Sequence, residues 1–426
     1  MKTESVEVLV IGGGPAGSTV ATLLAKEGVD TLVLEKDSFP RFHIGESMLP
    51  QSMKIWQRLG VMDKLHARYI VKHGARFLCS RTERQQSYFF EEAFDASVAY
   101  AFQVPRADFD ELLLRHSEES GAKVRHGWEV RDVLVNDGMV VGVRATDAQG
   151  EPHEVRARVI VDATGRDTLF ASRSAHKQRL PGLDKTAMFS HFAGIVRQAG
   201  RDEGNIDIIT FPHGWFWNIP FRGEVNSFGV VCSSAWVRSR RPGESLDDFF
   251  DRTVADSSWA TRLLANARRI NPVRALADYS YRVDRFGGDG WVLVGDGAGF
   301  IDPLFSTGAH LAFSSAALAV DTIVPRLRAG QSFPAETWTT YESTVRRAAE
   351  LYMGAVQSFY QGPLADRIFE QPQRKILRQT ITSMLAGDVF DSDVPWVRFL
   401  RENFPVTLPG EGYEAAPAGA APMITS

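Results

Sequence analysis

Apolar positions along this chain fall into three kinds of pattern. Compact runs at Val6–Ile11 and Thr31–Leu34 read as strands buried on both faces. Helical spacing over Pro15–Glu27 lies between them, so the three pieces form one βαβ unit that ends at Glu35. Similar runs at Arg158–Val161 and Trp291–Val294 predict further strands of the same layer. Period-two alternation over Ala187–Ile195, Ile206–Phe211, Trp215–Ile219 and Ser227–Cys232 predicts an antiparallel sheet inserted between those strands. From Ala309 to about Arg401 the spacing is mainly helical, with Pro363, Pro372 and Pro395 separating helices.

Composition changes this picture little. The 426 residues are 44% hydrophobic, enough to fill cores in two joined domains. A net charge of -4 disfavours a nucleic-acid partner. Cys79 and Cys232 lie far apart and form no metal or redox motif, which points to a reduced, cytoplasmic setting. No signal peptide precedes the first strand, and no uninterrupted run of ~18 apolar residues suggests a membrane span. The Ala/Gly/Pro-rich segment 409–426 is expected to be a disordered tail.

The first chemistry appears between the first strand and helix. Gly12, Gly14 and Gly17 form G-x-G-x-x-G. Gly12 permits the tight turn, Gly14 lets a phosphate approach the backbone, and Gly17 lets strand and helix pack closely. Pro15 and Ala16 then open a helix whose free N–H groups face a pyrophosphate. Glu35, followed by Lys36, ends the second strand where a carboxylate accepts from ribose hydroxyls. This fingerprint alone does not choose between FAD and NAD.

FPRFHIGES (Phe39–Ser47), DATG (Asp162–Gly165) and GDGAGFIDP (Gly295–Pro303) follow in the order found in FAD-dependent monooxygenases, which the chain resembles over almost its whole length. The resemblance implies a Rossmann-like FAD-binding domain of the para-hydroxybenzoate hydroxylase type. It would carry an inserted antiparallel β-sheet substrate domain and a C-terminal helical region. The FAD-binding parts are expected at 1–75, 106–182 and 286–330, the substrate domain at 76–105 and 183–285, and the helical region at 331–408. By the same resemblance Asp296 meets ribityl or ribose hydroxyls, and Arg41 or Arg106 lies near the pyrophosphate or adenosine. Gly45, Glu46, Ser47, Val130, Asp162, Ala163, Gly165, Gly295 and Pro303 complete the expected cofactor set. Gly295, Gly297 and Gly299 are spaced G-x-G-x-G, so no second fingerprint is read there. No separate NAD(P)H motif is found, which suggests that a separate flavin reductase supplies the FAD in reduced form.

One motif narrows the chemistry. Trp215, Trp217, Ile219 and Pro220 spell W-x-W-x-I-P, with both indoles on one face of a strand. Lys72 is followed by Gly74, and Pro303, Ser306 and Gly308 match P-x-x-S-x-G. Together these resemble flavin-dependent halogenases of the phenol/pyrrole type. The resemblance implies that Ser306, Thr307 and Gly308 bind chloride or bromide, as amides at the start of a helix can. The halide, oxidised with O2 at the flavin, would become hypohalous acid. Lys72 would present that electrophile to a ring, and Trp215 with Trp217 would keep substrate away from the flavin. Tryptophan halogenases carry a glutamate before the serine of the S-T-G segment, and here Phe305 stands there. The expected substrate is therefore an activated phenol or pyrrole, free or tethered to a carrier protein, in antibiotic or other natural-product biosynthesis.

Other residues remain ambiguous on sequence. Tyr88, Phe89, Phe90, Tyr100 and Phe102 could line a ring-shaped pocket or fill a core, the core being favoured, and Phe189, Phe192, Phe359 and Tyr360 share that ambiguity. His191 has no carboxylate near it in sequence. Arg374, Lys375 and Arg378 sit at helical spacing, as a solvated face or a dock for an acidic carrier. Competing readings are an FAD-dependent aromatic hydroxylase, a geranylgeranyl-reductase-like oxidoreductase, and a non-catalytic flavoprotein, the last of which predicts a disrupted glycine turn.

Overall fold

The computed structural model describes residues 2–173, 177–180, 182–277, 279–391, 397–399 and 402. The tail 409–426 and Pro395 lie outside the described residues.

Three separate stretches of chain build the first sheet. Its parallel core runs Trp291–Leu293, Pro152–Asp162, Lys2–Ile11, Thr31–Glu35 and Lys123–His126. Thr31–Glu35 is buried along its whole length, as a strand covered on both faces must be. Helix Pro15–Lys26 crosses between the first two strands and packs on the sheet beside helices Arg106–Glu119 and Thr307–Arg328. An antiparallel hairpin, Glu129–Asn136 with Met139–Thr146, extends the strand Pro152–Asp162. That strand begins six residues earlier than its apolar run, because its first half alternates and pairs with the hairpin.

The second sheet holds Lys185–Ala193, Val225–Ser233, Gly214–Pro220, Ile206–Phe211, Gly74–Cys79 and Gln85–Phe89 in that order, flanked by short strands at Arg268–Arg269 and Arg274–Ala277. It departs from the antiparallel expectation at one place: Ile206–Phe211 runs parallel to Gly74–Cys79. Those strands come from distant parts of the chain, and a long crossover lets them run the same way. Alternation sorts this sheet into two cores. Phe77, Phe189, Trp215, Trp217 and Ile219 face the C-terminal helices. Leu78, Met188, Phe192, Phe216 and Phe228 face the helices Leu246–Ala255 and Ser258–Leu264.

A two-stranded ribbon joins the sheets: Ile70–Lys72 pairs antiparallel with Ala101–Gln103. Ser47 bridges to Gln103 from the other side, and Met48 N–H donates to Phe102 O at 3.1 Å. Lys72 is thereby set beside Ser47–Met48.

The helical region contains Thr307–Arg328, Thr339–Gln361, Leu364–Ile368 and Lys375–Ala386. The first starts two residues before its apolar spacing does. It is long and apolar enough to cross a membrane, but 67% of its apolar window is buried within the fold, as in a core helix. Pro363 and Pro372 lie between helices.

Candidate active site

The parallel strands end level with one another, since Ile11 pairs with both Leu34 and Asp162. The loops after them meet at one carboxyl edge, where open parallel sheets bind ligands. A cavity of about 950 Å³ lies there and runs on to the second sheet.

Gly12, Gly14, Pro15 and Ala16 line its near end, with Glu35 and Lys36 beside them. Gly12 sits at φ +100, and a Cβ on Gly17 would come within 1.9 Å of Gly12 O, so the turn closes only with glycine at both positions. Gly17 does not itself line the cavity. Gly14 caps the helix with no side-chain partner, which leaves the first-turn amides free. Arg41 Nη2 stands 3.3 Å from the point a Cβ on Gly14 would occupy, so a cation and a helix N-terminus face one space. Arg41 Nε is buried without a hydrogen bond. These features fit the pyrophosphate of FAD.

Arg106 plays a different part. It grips Asp110 through Nε and Nη2 at 2.7 and 2.9 Å, and its Nη1 donates to Ile44 O at 2.7 Å and Gly45 O at 3.2 Å. Arg106 lines the cavity, but its guanidinium holds the Gly45–Ser47 loop in place. Glu35 is also engaged: it accepts from Gly13 N–H at 2.6 Å and Asp37 N–H at 2.7 Å, which fixes the turn while the residue still lines the cavity.

Val130, Ala163, Gly165, Asp296 and Pro303 complete the lining. Withdrawal from water pushes the Asp296 carboxyl up to about 6, with Arg106 and Arg166 pulling it back. Asp162 does not line the cavity, contrary to expectation. Its carboxylate turns inward and accepts from Thr164 N–H at 2.9 Å, Thr164 Oγ1 at 2.6 Å and Phe170 N–H at 2.8 Å. It shapes the loop that brings Ala163 and Gly165 to the wall. Gly295 is likewise behind the wall, between Ala16 and Ala312.

At the far end Ser306, Thr307 and Gly308 line the cavity. Ser306 takes the left-handed conformation at φ +58 and gives the following helix no side-chain cap. A non-glycine residue held there costs roughly 1–2 kcal/mol, a strain that marks functional turns. The helix opening at Thr307 therefore presents its first amides toward the cavity, as an anion site requires.

Trp215 and Trp217 form the wall opposite, with ring centroids 6.0 Å apart. The Trp217 indole lies over Gly229 on the next strand, where a Cβ would sit 2.3 Å from the ring. Both indole N–H groups are tied: Trp217 to Ser227 Oγ at 3.1 Å and Trp215 to Tyr360 Oη at 2.8 Å.

Lys72 is not in this lining. It is only 2% exposed and donates to Ser47 Oγ at 2.9 Å and Met48 O at 3.0 Å, with its Nζ 5.3 Å from the centre of the Phe90 ring. Among the described residues it has no carboxylate partner. Burial alone lowers its pKa to about 7, so amine and ammonium are both available near neutral pH. Ser47 separates it from the cavity, touching both.

Among the ambiguous residues, Tyr88, Phe90 and Phe359 belong to the core between the second sheet and the C-terminal helices, Phe102 to that of the first sheet, with Tyr100 packed against it, and Phe192 to the outer core. None of these six lines the cavity; Phe189 does. His191 has a carboxylate after all: its Nε2 lies 3.1 Å from Glu46 Oε1, across the gap between the sheets. Arg378 is held by Glu92 and Ser87 O, both at 2.7 Å, which weakens the proposed basic patch. Sequence reasoning missed Gly229, Ser227, Asp110 and Asp302. Only the cross-strand pairing of Trp217 with Gly229 could have signalled the first of these.

The FAD binding domain family matches residues 5–355. A 1H-pyrrole-2-carbonyl-[peptidyl-carrier protein] chlorinase of Pseudomonas fluorescens is 30% identical over 92% of this chain and 91% of its own length. A tryptophan 2-halogenase of Chondromyces crocatus is 31% identical over 84% of this chain and 68% of its own. The solved structure of the flavin-dependent brominase Bmp2 superposes with a TM-score of 0.84 at 28% identity, covering 94% of this chain and 98% of that one.

Proposed function

The chain belongs to the FAD binding domain family and, within it, to the flavin-dependent halogenases, FAD-dependent enzymes that use chloride or bromide; from that premise we propose that it halogenates an activated phenol or pyrrole, free or tethered to a carrier protein. The observation that carries this reading is a buried lysine with no carboxylate partner among the described residues, set behind Ser47 from a cavity that holds the glycine turn, the halide turn and two tryptophans. Bound FAD, delivered reduced by a separate reductase, supplies the electrons with which dioxygen and halide give hypohalous acid.

The residues divide the remaining work. Gly12–Gly17 and Arg41 hold the pyrophosphate, and Asp296 accepts from ribityl or ribose hydroxyls. The amides at Thr307 and Gly308 hold the halide. Trp215 and Trp217 close the far wall, which keeps an arene out of the cofactor end. Ser47 marks the boundary the electrophile crosses to reach Lys72. A lysine poised near neutrality can receive it as a free amine or polarise it as an ammonium.

Phe305 supports the phenol or pyrrole class. That side chain is 1% exposed and packs edge-on against Phe359, so no carboxylate stands where tryptophan halogenases have one. A phenol or pyrrole sheds its ring proton with less help. The coverage of the pyrrole-carrier chlorinase supports the pyrrole alternative.

The test is to incubate the protein with FAD, flavin reductase, NADH, oxygen, bromide and a panel of phenols, pyrroles and tryptophan, with carrier-tethered pyrrole included. A bromine isotope doublet on a phenol or pyrrole is expected. A gain of oxygen alone means direct hydroxylation, and efficient tryptophan bromination overturns the substrate class.

A further inference from the structure

The two tryptophans of the cavity wall are chemically vulnerable. Indole is an electron-rich arene, and the proposed reaction releases an electrophilic halogen beside it. Trp215 is 1% exposed and stands at one end of a chain of hydrogen bonds. Trp215 Nε1–H donates to Tyr360 Oη at 2.8 Å. Tyr360 O–H donates in turn to the Asp302 carboxylate, at 3.2 and 3.4 Å. Asp302 is itself buried, and its Oδ1 accepts from Leu304 N–H at 2.9 Å, inside the turn that leads to Ser306–Gly308. Lys185 Nζ lies 4.2 Å from the centre of the Tyr360 ring, pinning that ring from the other side. The chain therefore links the tryptophan wall directly to the halide turn across two elements, the helix Thr339–Gln361 and the segment 302–305.

We propose that Tyr360 and Asp302 are positioning residues that lock the Trp215 indole, so that the wall stays shut and the indole itself escapes halogenation. The proposal rests on the halogenase reading for its purpose, but the lock is a property of the protein with or without turnover. With its N–H drawn to Tyr360, the ring is held in one pose at the cavity wall. Released, it would rotate into the cavity and compete with substrate. Each such event replaces an indole C–H by C–Br, hypobromous acid supplying the bromine and its oxygen leaving as water with the displaced proton.

The test uses FAD-loaded full-length protein, wild type beside Tyr360→Phe, which keeps the ring and removes one oxygen. Both are dosed with hypobromite and the Trp215 peptide is examined by mass. Bound flavin and near-ultraviolet dichroism check that the variant is folded. Trp215 should gain bromine or oxygen roughly five- to tenfold less in wild type than in the variant, the scale of one lost hydrogen bond. Asp302→Asn, which keeps an acceptor for both Tyr360 and Leu304, should protect as wild type does. Equal modification of wild type and Tyr360→Phe overturns the lock. A second arm measures arene bromination per flavin oxidised, which should fall in Tyr360→Phe while flavin oxidation is unchanged. If wild type brominates no arene, the functional reading fails in that arm alone, and the hypobromite arm still decides the lock.

Discussion

The two ends of the cavity are built on opposite principles. The cofactor end is made largely of main chain: a turn closed by glycines, free amides at a helix start, and strands that end level. Its charged groups are mostly tied to partners: Arg106 to Asp110, Lys36 to Asp167, Arg41 near Asp37 and Asp110, and Glu35 to the Gly13 and Asp37 amides. The other end, with Lys72 behind it, is made of side chains withdrawn from water: Lys72 against Phe90, the Trp217 indole over Gly229, and Asp302 pushed up to about 7 by burial. The first end binds and needs little strain. The second, to which the proposed chemistry is assigned, holds a cation, an acid and a left-handed serine where packing alone would put none of them.

That contrast can be broken at either end. The largest effect is expected from Gly17→Val, because even the Cβ would overlap Gly12 O at 1.9 Å. The purified variant should lose its flavin absorbance and bind added FAD roughly a hundredfold more weakly, a change within the range of severe backbone clashes. Arg106→Leu comes next. It leaves Asp110, fully buried, with the more distant Arg41, Nη1 at 3.9 Å, in place of its two-bond partner, and removing one member of a buried pair costs up to roughly 3–5 kcal/mol. Thermal melting should show a marked drop, together with weaker FAD binding as the Gly45–Ser47 loop loosens.

At the other end, Gly229→Ala pushes a methyl to within 2.3 Å of the Trp217 ring without touching the cofactor end. FAD should bind normally while arene halogenation per flavin oxidised falls by roughly tenfold, the scale of a small positional error near reacting groups. The smallest effect has the opposite sign. Lys72→Met should stabilise the protein by roughly 1–2 kcal/mol at neutral pH, since burial of the cation costs more than its two hydrogen bonds return. The folded pKa of Lys72 is about 7, below its unfolded value of 10.5. Its cost is therefore full below pH 7, shrinks as pH rises, and is gone above the unfolded pKa. Melting curves at pH 7 and pH 9.5 should show the gain of the variant diminishing at the higher pH.

The same contrast explains what could be read from the sequence. Gly12, Gly14 and Gly17 were legible because backbone geometry allows only glycine there, and the requirement is local. The parallel strands were legible as unbroken apolar runs. The second sheet was legible as alternation, yet its parallel pair was hidden, because nothing local tells Gly74–Cys79 which distant strand it meets. The place of Asp162 is not legible in DATG, because its neighbours do line the cavity while its own side chain turns inward to cap their loop. Trp215, Trp217 and Lys72 could be chosen only by resemblance. A lone lysine or an aromatic strand has no local mark of function, and what makes these residues chemical is burial supplied by Ser47, Phe90 and Gly229 from elsewhere in the chain. The Asp302–Tyr360–Trp215 chain, which spans 145 positions between its last two members, was invisible for the same reason.

Halogen delivery by Lys72, at a site separate from the flavin, stands or falls with the variant Lys72→Ala. Flavin reoxidation and brominated product should be followed together in wild type and variant, with an accepted phenol or pyrrole and bromide. Flavin reoxidation should stay within about twofold of wild type while bromination falls by roughly a hundredfold or more, as for loss of an essential nucleophile. Bromination of the same arene at the wild-type rate in Lys72→Ala would contradict it.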